Sequence, residues 1–181
     1  EEVEFALPLL ISLSTGEHSD LESRSVKDMA NLSLGHYHLK RDELDEAKAY
    51  FNQIGYIGPH SNEALYYLAW IELKQKETKT AFAFWVDLSK RNPADFYVGK
   101  SYLIRPYTLE QLNSSHLALS GYLRASELYD NLINDVDNTI EVINSEGWIT
   151  KLHPGSLKTI SMYERISPQP GWVDTQRNEA N

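Results

Sequence analysis

His36 and His38 are the closest pair of imidazoles in the chain, and their spacing decides against a shared metal ion. Two residues apart on a helix, they point about 200° apart around its axis, so one ion cannot take both. His18, His60, His116 and His153 are scattered near expected chain breaks, where an imidazole serves as a surface or capping group. Asp130, Asp137 and Glu141 share one face of an expected helix. Carboxylates on a wet face titrate normally and lack the desolvation that tunes one of a pair into a general acid. The chain has no Gly-rich phosphate loop, nucleophile elbow or zinc-ligand spacing. With no cysteine, disulfides and thiolate metal sites are excluded. The sequence therefore predicts no catalytic residue, no cofactor and no metal: a protein that is not an enzyme.

Composition narrows the partners. A formal charge of −9 over 181 residues, with a pI near 5.1, opposes binding to nucleic acid or an anionic membrane, because affinity for phosphates comes mainly from clustered Lys and Arg. Lys40-Arg41 and Lys90-Arg91 are isolated pairs at expected helix ends, where cations complement the helix dipole. The longest apolar run, Phe5 to Leu13, contains Pro8 and Ser12 and falls short of the roughly 20 residues that span a bilayer. No membrane insertion is expected of it. Glu1 is not an initiator Met, so the native protein is expected to be longer, with room for a removed signal or anchor. A cysteine-free chain suits the cytoplasm and a bacterial periplasm or envelope equally, and the compartment stays open.

The elements that would position any binding residue repeat. Ala47 and Ala81, Phe51 and Trp85, and Pro59 and Pro93 each stand 34 residues apart. A period between about 20 and 50 residues marks supersecondary units that bury their apolar faces by stacking on neighbours. Met29, Leu32, Leu34 and Leu39 predict a helix buried on more than one face, with Gly35 admitting a close neighbour. After a polar break at Arg41-Asp42-Glu43, the residues Leu44, Ala47, Phe51 and Ile54 form the next stripe, in which Ala47 is small enough to face Gly35. Gly55 and Gly58-Pro59 end it. Leu65, Leu68 and Ala69, a break at Lys76-Glu77-Thr78, then Ala81, Trp85 and Leu88 repeat the pattern, with Ser61 starting a helix and Asn92-Pro93 marking a boundary.

With Leu34-Gly35, Ala47, Phe51 and Pro59 matched in register by Leu68-Ala69, Ala81, Trp85 and Pro93, the stretch from about Asp28 to Asp95 resembles the tetratricopeptide repeat family. The resemblance implies an all-α fold: antiparallel helix pairs in a right-handed superhelical array, an α-solenoid whose concave wall grips a peptide or helix.

The third unit departs from the pattern. Tyr97, Tyr102, Leu103, Ile104, Leu109 and Leu112 predict a helix that Pro106 should kink or split. Past Asn113-Ser114-Ser115, the residues Leu117, Ala118, Tyr122 and Ala125 supply a stripe in a unit with roughly three extra residues. Leu128, Leu132, Val136, Ile140 and Ile143 continue it with no Pro or Gly before Gly147, predicting one helix of about 30 residues that caps the array. Residues 148–155 read as a turn, Leu157, Ile160 and Met162 as a short helical stretch, and Pro168-Gln169-Pro170-Gly171 as a break before a polar tail. Trp172 in that tail reads as a packing anchor or a recognition handle. At the other end, Ser19 to Glu22 reads as a capping box. The chain thus divides into an N-terminal apolar segment and lead-in helix (1–27), repeats at 28–61 and 62–95, a degenerate third (96–127), a long-helix extension and C-terminal cap (128–166) and a flexible tail (167–181).

In the resembled family the first helix of each pair lines the concave wall. The non-packing positions of those helices hold Met29, Leu32 and Glu63, together with the expected protein-binding residues His36, Lys40, Tyr66, Trp70, Lys74, Tyr97, Lys100 and Tyr107. This wall is aromatic with a few cations, suited to burying apolar side chains of a peptide, with Lys74 and Lys100 available for carboxylates. Two placements stay open for Tyr66, Trp70 and Tyr97, lining a groove or packing between repeats. Some members of the family clamp a C-terminal carboxylate; the matching places here hold Leu32, His36, Tyr67, Tyr97 and Ser101, so that clamp is not implied. The expected function is a non-catalytic scaffold for a protein or peptide partner. The alternatives are self-association through the long helix or the apolar N-terminal strip, and an accessory subunit of an enzyme whose catalytic residues lie in another chain.

Overall fold

The structure, a computed structural model, describes residues 2–16 and 20–145, and among these all regular structure is helical, with no strand. In chain order the helices are α1 (Glu2–Thr15), α2 (Leu21–Lys40), α3 (Leu44–Phe51), α4 (Ser61–Lys74), α5 (Thr78–Leu88), α6 (Phe96–Gln111) and α7 (Ser115–Asn144). Each packs on the next, and α4 also packs on α6. None is long and apolar enough to cross a membrane. The expected turn at 148–155, the short helical stretch near Ile160 and the tail with Trp172 lie outside the described residues.

Helix ends follow local chemistry. The Asp20 side chain accepts the Ser23 amide at 2.7 Å and caps α2; Ser19 of the expected capping box lies outside the described residues. Asp95 caps α6 by accepting the Tyr97 and Val98 amides at 2.9 and 3.2 Å. The three turns α2–α3, α4–α5 and α6–α7 share one geometry. Each holds a single non-glycine residue in the left-handed region: Asp42 (φ 61°), Lys76 (φ 66°) and Asn113 (φ 57°). In each, the following amide reaches back to the carbonyl five residues earlier, Glu43 to His38 at 3.0 Å, Glu77 to Glu72 at 2.9 Å and Ser114 to Leu109 at 2.9 Å. These bonds satisfy carbonyls that a helix end would otherwise leave unpaired. The turn residues stand 34 and then 37 residues apart, so the backbone carries the period and the third unit's three-residue excess. Left-handed backbone costs a residue with a Cβ about 1 kcal/mol, so Lys76→Gly is expected to stabilise the chain by about that amount. The urea midpoint checks this, and a fall in the midpoint contradicts it.

Two buried clusters hold the middle together. The first joins Leu32 of α2, Ala47 and Phe51 of α3, Ile54, and Ala64, Leu68 and Ile71 of α4. In the second, Leu65 and Ala69 of α4 meet Trp85 and Leu88 of α5 and Val98 of α6. Phe51 and Ile54 thus have Trp85 and Leu88 as counterparts one period on, each set wedged between a helix pair and the helix that follows. Full burial of each large side chain contributes about 1.5–3 kcal/mol.

A Cβ at 35 would lie 2.6 Å from Cε1 of Phe51, so the missing side chain of Gly35 makes room for the phenylalanine ring, one turn beyond Ala47 along α3. Two expectations are corrected. Pro106 does not split its helix, because α6 runs unbroken from Phe96 to Gln111 with Pro106 buried. Gly121 of α7 receives that ring, since a Cβ there would stand 2.9 Å from Pro106 Cβ. Leu32 belongs to the first core cluster and not to an open wall. Among the boundaries, α2 begins at Leu21, ahead of residue 28, and α7 crosses 127 and 128 without a break.

Candidate functional site

On α4, the residues Glu63, Tyr66, Trp70 and Lys74 recur every three or four positions and so form one stripe along the helix. Phe96, Lys100, Leu103 and Tyr107 do the same on α6, and Met29, His36 and Lys40, spaced by seven and four, share one face of α2. The stripes meet through side chains. His36 Nε2 hydrogen-bonds Glu63 Oε1 at 2.9 Å, and its ring stands edge-on to Tyr67 at 4.5 Å between centroids. Tyr97 lies 5.4 Å from Tyr66 and 6.0 Å from Tyr67, which joins α4 to α6. The Lys100 ammonium sits 4.2 Å from the Phe96 centroid and 5.8 Å from that of Tyr66, close enough for cation–π attraction. His36, Glu63, Tyr66, Tyr67, Tyr97, Phe96 and Lys100 therefore form one connected cluster across three helices.

The remaining expected residues stand apart from it. Trp70 is exposed one turn beyond Tyr66. Lys74 pairs with Asp42 at 2.9 Å on the surface, so it already holds a carboxylate of its own chain. Lys40 is exposed in the last turn of α2, and Tyr107 is exposed near Tyr122 of α7. Tyr66 is half-buried, packing its inner edge on the second core cluster 5.4 Å from Trp85. Tyr66 and Tyr97 thus both pack between helices and present part of their surface, whereas Trp70 is more than a third exposed. Tyr67 and Phe96 were not among the expected wall residues. Phe96 is the first residue of α6 and Tyr67 is the sequence neighbour of Tyr66, turned 100° around α4; the aromatic pair at 66 and 67 was the available signal.

The electrostatics suit donation more than proton abstraction. Burial, then the hydrogen bond to the Glu63 carboxylate, pushes the Tyr97 hydroxyl far above the usual tyrosine range. Burial raises Tyr66, with Tyr67 adding to it, and burial then Glu63 raises Tyr67. These phenols stay neutral at physiological pH, offering aromatic faces and O–H donors. Among the described residues no group of three or more His, Cys, Asp or Glu is placed to hold a metal ion. A shallow pocket between the start of α2 and the α3–α4 loop, lined by Arg24, Asp28, Ile57 and Pro59, includes none of the cluster and lacks its convergent chemistry.

Compared with known protein families, curated proteins and solved structures, the chain matches none.

Proposed function

We propose that the chain is a non-catalytic scaffold of the tetratricopeptide type, its helix pairs stacked as a right-handed superhelix, that binds a peptide or helix along the face shared by α2, α4 and α6. One observation carries this reading. The large apolar side chains left exposed between residues 29 and 111 lie on α2 (Met29), α4 (Trp70), α6 (Phe96, Leu103, Tyr107) and the α3–α4 loop (Tyr56, Ile57), with none on α3 or α5. Exposed apolar surface concentrated on one set of helices, with Lys40 and Lys100 exposed on those same helices, suits capture of a segment with apolar anchors and a carboxylate. The thrice-repeated turn, with its spacings of 34 and 37, supports serial stacking.

Selection from a random peptide library tests this. Selected peptides are expected to lose about 30-fold in affinity on Trp70→Ala, the effect of a hot-spot aromatic worth about 2 kcal/mol. Trp70 is 36% exposed, so the substitution also removes some packing, and folding stability is expected to fall by about 1–2 kcal/mol without unfolding the chain. Peptides that bind Trp70→Ala and Phe96→Ala as tightly as the parent chain overturn the proposal, as does unfolding caused by Trp70→Ala.

A further inference from the structure

The face that α7 lays against α6 runs on past the end of α6. The two helices are antiparallel: a Cβ at Gly121 of α7 would stand 2.9 Å from Pro106 of α6, and one at Gly99, near the start of α6, would stand 3.8 Å from the Tyr129 hydroxyl. In this register Phe96, the first residue of α6, is about level with Leu132, and residues 133–144, roughly 18 Å of α7, overrun it. At 100° per residue, Ala118, Tyr122, Ala125 and Tyr129 share one face with Ile133, Val136, Ile140 and Ile143, all within an arc of about 80°. Ala118 and Ala125 are buried where α6 lies against them, whereas the four residues of the overrun are between 42% and 57% exposed. The overrun therefore continues an interface already built, and its spacings of three and four suit a helix laid end to end with α6.

Charge narrows the occupant. Asp130, Asp137 and Glu141 are exposed along one edge of the overrun, Asp135 stands beyond the other, and no Lys or Arg follows Arg124 up to the helix end at Asn144. Two copies joined on this face would set carboxylates against carboxylates, so the occupant is basic and is not a second copy. We propose that the overrunning half of α7 is a docking surface, distinct from the α2, α4 and α6 face, for a partner helix whose apolar seam is flanked by Lys or Arg. Such a helix would bury the four exposed side chains as α6 buries their counterparts, with its cations beside Asp130, Asp137 and Glu141.

Photo-crosslinking of the full chain is the test. A photoreactive phenylalanine analogue replaces Val136, and two helical peptides are offered that share one leucine seam, the first flanked by lysines and the second by glutamates. The lysine peptide is expected to give at least about tenfold more adduct than the glutamate peptide. Asp130→Lys with Asp137→Lys and Glu141→Lys should invert that preference, and Trp70→Ala should leave it unchanged, which separates this surface from the α2, α4 and α6 face. No adduct, equal yields from the two peptides, failure of the charge reversal to invert the preference, or loss of the adduct with Trp70→Ala overturns the proposal. So does either other occupant, identified by mass: a cross-link closed within one chain marks the chain's own continuation, and one between two chains marks a second copy.

Discussion

Trp85→Ala is expected to lower the unfolding free energy by about 3–5 kcal/mol, a large share of what a domain of this size has. Trp85 is fully buried and touches the second cluster from inside α5, with Leu65 and Ala69 of α4 on one side and Val98 of α6 on the other. Removing it empties the joint between three helices, and neighbours fixed on separate backbones cannot collapse into the gap. Its indole N–H is buried and finds no hydrogen-bond partner among the described residues, so its contribution there is packing volume. Trp85→Phe should therefore cost only about 1 kcal/mol, since the smaller cavity is offset by loss of the unpaired donor. Phe51 already occupies the equivalent place one period earlier. Urea unfolding of both variants reads these values, and an alanine variant within about 1 kcal/mol of the parent contradicts the joint.

Lys48→Ala ranks next. Lys48 of α3 forms an ion pair with Glu72 of α4, a residue only 3% exposed. Burying a carboxylate is tolerated because the ammonium stands against it, and deleting the partner leaves the charge uncompensated. The Lys48 side chain is itself 34% exposed, which lets some water reach the pair and places the expected loss at the lower end, about 3 kcal/mol. Adding Glu72→Met should recover most of it by removing the orphaned charge. Failure of the double variant to recover would locate the cost in packing of the Lys48 stem instead.

Periodicity made the helices and the long α7 legible, because apolar spacing fixes which side of a helix faces inward. It does not fix the shift of one helix along another. The sequence put the small Ala47 opposite Gly35 but did not show that the Phe51 ring, one turn further along the same stripe, presses on it. Pro106 misled for a related reason: the cost of a proline depends on what receives it, and Gly121 lies on another helix. Glu72 gave no sign of burial in the sequence, since its ion-pair partner stands 24 positions earlier in the preceding helix pair. The candidate wall was half legible. The stripe on α4 and α6 was readable from residue type and spacing, but the joining of His36, Glu63 and Tyr97 into one network required the packing of three helices.

The proposed partner is expected on the α2, α4 and α6 face and not on the backs of the pairs. A photoreactive phenylalanine analogue placed singly at Trp70, Leu103 or Tyr107, and at Lys79 or Ala83 of α5 for comparison, tests it most directly in the native cell. Adducts of one common mass from 70, 103 and 107, with none from 79 or 83, are the expected result. Adducts confined to the α5 positions, or an equal yield from both faces, would contradict it.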